Sequence, residues 1–195
     1  MKRLYALIIS LSLLAPLNVM AATYNLDPVH STVQFKVKHL MISNVKGVFE
    51  KFKGTVFIDE NDVSKSKVDV SIEMASLNTN IAKRDEHLRS ADFFDVAKFP
   101  FMTFVSTKVE KAGVDKLKVT GNLTIKDVTK SIILNVEGPT GEIKSPQGDV
   151  RRGASAAATV NRQDFGVTWN KKIFGGGVVV ADDVYINIDT EMARQ

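Results

Sequence analysis

The chain is predicted to be all-β, a single closed barrel of eight antiparallel strands with one short helix covering an end. Three observations predict this. Apolar and polar residues alternate with a period of two in segment after segment, short turns rich in Gly, Asn, Asp and Lys separate the segments, and only residues 79–100 depart to a helical spacing.

The strands follow in order. Residues 31–40 alternate strictly, with Val33, Phe35, Val37 and His39 on one face and Thr32, Gln34, Lys36 and Lys38 on the other. After a Ser43-Asn44 turn, residues 45–59 form a long strand whose Phe52, Gly54, Val56 and Ile58 share a face, and in which Gly47 and Gly54 mark bends of the kind a closing sheet needs. Residues 67–77 point Val68, Val70, Ile72 and Met74 inward. Residues 101–109 read as a strand of open register, because Phe104 and Val109 differ in parity. Leu117, Val119, Gly121, Leu123 and Ile125 line one face of the next strand, and Ile132, Leu134 and Val136 one face of the strand after it. Residues 152–160 present Ala154, Ala156, Ala158 and Val160, and a final strand over 178–190 presents Val184, Ile186 and Ile188. Short connections force antiparallel neighbours. A sheet with one apolar face must cover it, and closure on itself does so while removing exposed edges.

Between the third and fourth strands, Asn78, Thr79 or Asn80 can cap a helix of about three turns with Ile81 and Leu88 on its apolar face. Lys83, Arg84, Glu86 and Arg89 take the opposite face. Phe93 and Phe94 follow, and Phe99-Pro100 ends the segment, because a residue before proline is pushed out of the helical region. The whole reads as a lid.

At the N-terminus, Lys2-Arg3, an apolar run over 4–17 and Val19-Met20-Ala21 fit a signal peptide over residues 1–21, cleaved after Ala21. Residues 22–195 are then one exported domain, with the periplasm as its expected location. No other stretch has the roughly 20 apolar residues that a membrane span needs, so membrane contact is expected to be transient. The chain has no cysteine, which excludes disulfides, thiolate chemistry and an N-terminal lipid anchor on Cys. Net charge falls from +4 to +2 once Lys2 and Arg3 are gone, and no basic block remains, so nucleic acid is not an expected partner.

An eight-stranded barrel holds either its own side chains or one small ligand. Both packings fit the pattern. Ala154, Ala156, Ala158, Gly54 and Gly121 either face the bulky Phe35, Phe49, Phe52 and Phe104 in a tight core or leave a long apolar cavity between them. A cavity would favour a long-chain lipid, since each buried CH₂ contributes about 0.8 kcal/mol against about 1 kcal/mol for a head-group hydrogen bond.

Asp27-Pro28-Val29-His30-Ser31, Phe35-Lys36-Val37-Lys38-His39, Gly47-Val48-Phe49 and Phe52-Lys53-Gly54 resemble the opening of the YceI-like family. The run from Arg84 to Phe94 resembles its central signature, and Phe99-Pro100, Gly121-Asn122-Leu123-Thr124, Asn161-Arg162-Gln163-Asp164-Phe165-Gly166 and Asp183-Val184-Tyr185-Ile186 complete the series. The resemblance implies an extended lipocalin-like barrel, secreted to the periplasm, that binds polyisoprenoids, isoprenoid quinones or related long-chain amphiphiles without catalysis, and it makes a homodimer plausible. Ala154 stands where the family commonly has a large apolar residue, which implies a longer or wider cavity here.

The expected function is therefore a non-catalytic periplasmic protein that sequesters or carries an isoprenoid or fatty lipid. The alternative is a stress-protective or interaction barrel with a filled core; a weaker third is an enzyme acting on a lipid head group. The candidate lining comprises Phe35, Val37, Phe49, Val56, Phe104, Leu123, Ala154, Ala156 and Ala158 from the wall, Leu88 and Phe93 from the lid, and Phe165. His39 points inward at a strand end, where it can meet a head group, and Trp169 lies in a mobile-looking loop that either plugs an end or touches ligand at the mouth. No cofactor is expected. His30, His39 and His87 lack metal-site spacing, so no metal is expected either. No G-x-S-x-G, phosphate loop or H-E-x-x-H occurs. Arg84, Asp85, His87, Arg89 and Asp92 are expected to pair along the helix and hold the lid, and Arg162 to pair with Asp164.

Overall fold

The computed structural model describes residues 21–195, so the expected signal peptide over 1–21 lies almost wholly outside the described residues. The strands are β1 (Ala22–Leu26), β2 (Thr32–His39), β3 (Ser43–Phe49), β4 (Phe52–Ile58), β5 (Lys67–Glu73), β6 (Leu77–Asn78), β7 (Phe101–Gly113), β8 (Lys116–Ile125), β9 (Val128–Glu137), β10 (Ile143–Lys144), β11 (Val150–Asn161) and β12 (Val180–Arg194), with one helix, α1 (Ala82–Arg89). All pairings are antiparallel, and the twelve segments reduce to eight walls, because β1 with β2, β3 with β4, β5 with β6 and β9 with β10 are each two parts of one wall. The break between β1 and β2 is bridged by β12, whose C-terminal end pairs β1 (Tyr24↔Arg194) and whose earlier part pairs β2 (Ile186↔Phe35). β12 closes the barrel, pairing β1 and β2 on one side and β11 on the other along a continuous register from Arg151↔Ala193 to Asn161↔Asp183.

Three features differ from expectation. β1 exists and buries Tyr24, which is 1% exposed. β7 carries a bulge between Ser106 and Lys108, so Phe104 opposes Leu123 and Val109 opposes Val119 on the same inner face despite their different parity. The helix is also shorter than expected, at eight residues, and Ile81 is its exposed cap residue rather than part of an apolar face. Asp85 takes the buried place instead, accepting the Thr79 N–H at 2.9 Å and the Thr79 hydroxyl.

Small residues do less cavity-making than their size suggests. A Cβ at Gly121 would lie 2.3 Å from Cζ of Phe104 and 2.7 Å from the Val105 carbonyl, and one at Gly47 would lie 2.4 Å from Cζ of Phe35. These glycines hold aromatic rings flat against the wall. Gly54 is likewise closed off, by the Asp69 carbonyl at 2.6 Å.

Where β1 ends, Asp27 bonds the His30 Nδ1 at 2.8 Å and receives Arg151 Nη1 at 2.6 Å. The His30 bond, then Arg151, holds the Asp27 carboxyl far below the usual carboxylate range, and Asp27 in turn raises the pKa of exposed His30.

Gly121→Ala is expected to cost about 1 to 3 kcal/mol, read by chemical denaturation, since the ring and a backbone carbonyl must both move. For His30, whose pKa is raised by Asp27, the pair's stabilisation is complete below the ordinary His pKa of about 6.5 and fades as pH rises through the folded value. An NMR titration should place the His30 midpoint above 6.5, and Asp27→Asn should return it towards 6.5; a midpoint unaffected by Asp27→Asn would remove this pair.

Candidate functional site: an apolar cavity inside the barrel

The barrel is hollow. A cavity of about 640 Å³ runs through it, within the range of small-molecule sites. Its walls are the inward positions of the alternating strands, and Val68, Val70, Leu117, Ile132, Val136, Ala156, Val184, Ile186 and Ile188 are only partly buried because they face this space rather than one another. A filled barrel would bury them.

Of the wall positions expected from alternation, Phe35, Val37, Phe49, Val56, Phe104, Leu123, Ala154 and Ala156 line the cavity, joined by Leu88 and Phe93 of the lid segment and by Phe165. Ala158 is buried in the core but does not line the cavity. His39 does not line it either: it ends β2, pairing with Val180 just before the left-handed Leu40 and Met41, so its ring is at the rim and not beside the interior. Trp169 is likewise outside the lining. It stacks against Phe93 with ring centroids 5.0 Å apart and meets the His87 ring edge-on at 5.2 Å, which makes it backing for the plug.

That plug seals one end of the barrel. β9 and β11 stay paired only from Ser155↔Glu137 to Ala157↔Asn135, and beyond that point the 3₁₀ turn Arg162–Phe165 lies against β9. Phe93, Phe165 and Val167 are 6%, 1% and 3% exposed. Arg162 does not pair with Asp164 as expected; it reaches across to donate to the carbonyls of Ala181 (3.0 Å), Val167 (2.6 Å), Trp169 (2.9 Å) and Val180 (3.3 Å) and to Asp182 (3.0 Å). All five of its donors are used on the loop that closes the barrel. The lid is held in the same manner. Arg84 donates to the Thr79 hydroxyl and carbonyl and Arg89 to the Leu77 carbonyl, so these arginines grip the backbone before the helix rather than pairing along it. His87 pairs with Asp92 at 2.9 Å.

At the other end the lining turns polar, at a residue that sequence reasoning passed over. Arg152 lies in β11 two residues before Ala154, so the alternation that aims Ala154 and Ala156 inward aims Arg152 inward too. It is 9% exposed and donates from Nε to Tyr24 Oη at 3.0 Å, from Nη1 to the Thr140 carbonyl at 3.2 Å and from Nη2 to Glu60. One N–H on each terminal nitrogen is left without a partner among the described residues. Tyr24 donates to Glu142 at 2.5 Å, and burial followed by this bond raises the phenol above its ordinary value, keeping it a neutral donor. Glu60, Lys111, Val114 and Lys116 form an exposed rim here.

Asp27, His30 and Glu191 bring three donor atoms within 4.8 Å. The Arg151 guanidinium already bonds both carboxylates, at 2.6 and 2.5 Å, and supplies the positive charge that a cation would bring.

A family model described as a YceI-like domain matches residues 24–192. Protein YceI of Salmonella newport is 43% identical over 153 residues, covering 77% of this chain and 79% of that one. A UPF0312 protein of Pseudomonas savastanoi pv. phaseolicola is 42% identical over 168 residues, covering 85% and 87%. Among solved structures, the Campylobacter jejuni YCEI protein superposes with a TM-score of 0.69 at 38% identity, over 81% of this chain and 90% of that one. A polyisoprenoid binding domain from Saccharophagus degradans superposes with a TM-score of 0.64 at 17% identity, over 89% and 99%, a likeness of fold alone. With its family model spanning the barrel from β1 to β12, the chain belongs to the YceI-like family.

Proposed function

We propose that this protein is an exported, non-catalytic carrier that holds one long-chain lipid, a polyisoprenoid or isoprenoid quinone, inside its barrel. The observation that carries this reading is the hollow apolar interior: about 640 Å³ walled by aliphatic and phenylalanine side chains, with polar groups gathered mainly towards the ends. Each five-carbon unit buried there contributes roughly 3 to 4 kcal/mol before ordering costs, so chain length and shape dominate affinity. Arg152, with donors to spare, replaces His39 as the group that meets a head-group oxygen, adding about 1 kcal/mol. The likeness in fold to the Saccharophagus polyisoprenoid binding domain supports the ligand class. Export rests on the N-terminal pattern, Lys2-Arg3 followed by an apolar run and Val19-Met20-Ala21. No helix among the described residues is long and apolar enough to cross a membrane.

Ala156 stands mid-wall, opposite Val136 and Ile188 in register, with its side chain on the cavity. Ala156→Phe is expected to lower affinity for a prenyl alcohol or ubiquinone analogue at least about tenfold, the equivalent of 1.4 kcal/mol, in a variant that still folds by circular dichroism. Unchanged uptake by the folded variant would show that the lipid does not sit in the barrel. Leu88 is the α1 residue on the lining, and Leu88→Ala is expected to speed ligand release in a stopped-flow displacement assay; an identical off-rate would take the lid out of the release path.

A further inference from the structure

Two loops at the lid end form one protruding tip. The turn between β2 and β3 and the loop over 167–179 are tied by the Leu40 N–H to the Val179 carbonyl at 2.8 Å, and a Cβ placed at Gly177 would lie 3.5 Å from both Met41 Cγ and Ile173 Cδ1. The same loop carries Trp169, which packs on His87 and Phe93, so the tip adjoins the lid. Ile42 is 81% exposed and Phe174 fully exposed, with Met41 beside them at 49%. None of these three lines the cavity or belongs to the core. Exposed aromatic and branched side chains clustered on a soluble fold mark a contact surface.

Charge says which kind. Residues 38–46 and 167–181 contain Lys38, Lys46, Lys171 and Lys172 and no Asp or Glu. Lys36 pairs across the sheet with Lys46 and extends the basic face down the outside of β2 and β3. The acids next in sequence are Asp182, held by Arg162 and Gln163, the exposed Asp183 and Asp164, and Glu50, which accepts from Asn78. A second copy meeting this tip through two-fold symmetry would set lysine against lysine.

We infer that the tip docks on an anionic lipid surface, with Ile42, Phe174 and Met41 entering the acyl boundary and the lysines meeting head-group phosphates. This goes beyond the carrier reading and stands without it.

The test uses the purified protein and phosphatidylcholine vesicles made with and without phosphatidylglycerol, with no prenyl lipid present, so the cavity's ligand does not enter the readout. Co-sedimentation is expected with the anionic vesicles only and should weaken as salt is raised. Lys171→Gln with Lys172→Gln is expected to lower partitioning about thirty-fold, and Ile42→Ser with Phe174→Ser to abolish it, both with unchanged melting temperature because the residues are exposed. Absence of binding to anionic vesicles, or equal binding by wild type and both variants, would overturn the inference. So would sedimentation velocity showing a wild-type dimer that Ile42→Ser with Phe174→Ser converts to monomer, which would assign the patch to a second copy of the chain.

Discussion

The seam that β12 makes with β1 and β2 is the constraint on which the rest depends. Every other wall is next to its neighbour in sequence, so local turns bring it into register, whereas closure requires the last strand to pair at once with β11 and with β1 and β2 at the start of the domain. β12 is fifteen residues long because it must span both β1 and β2. Closing the ring turns one apolar face into an interior, and the ladder sets which residues face it: Ala156 against Ile188 and Ala158 against Ile186, with Ser155 and Asp189 outside and hydrogen-bonded at 2.7 Å.

Two buried arginines then give the interior its polarity. Arg162 spends every donor on the backbone of the closing loop and on Asp182, so at that end it is a structural clasp. Arg152 is compensated by Glu60 and lies 3.9 Å from Glu142, but at the other end it keeps donors unpartnered among the described residues. An apolar tube with a spent arginine at one end and an unspent one at the other has a direction, and an amphiphile with a single polar head fits it one way round.

Much of this was legible in the chain because period-two alternation is a direct record of a wall with two different faces. The eight walls, the lid segment and most of the lining follow from it, and the match to the YceI-like family follows from motifs along nearly the whole domain. What was not legible depends on local geometry. β1 is five residues long, too short to show a period, and abuts the expected cleavage site. The bulge before Lys108 reverses parity, which alternation cannot anticipate. Gly121 reads as empty space until the Phe104 ring is seen lying on it. Ile81 and Asp85 exchange roles because a carboxylate beside two orphan donors at Thr79 outweighs apolar spacing over two turns. Arg152 was the recoverable omission: its parity already placed it inward, and only its charge argued otherwise.

The central claim is that the cavity is occupied by a lipid in life. Native mass spectrometry of the protein purified from its native host, followed by solvent extraction, tests it most directly. The account expects an adduct that extracts as a prenyl or quinone species. A clean ligand-free mass, together with failure of added prenyl lipids to bind, would contradict it.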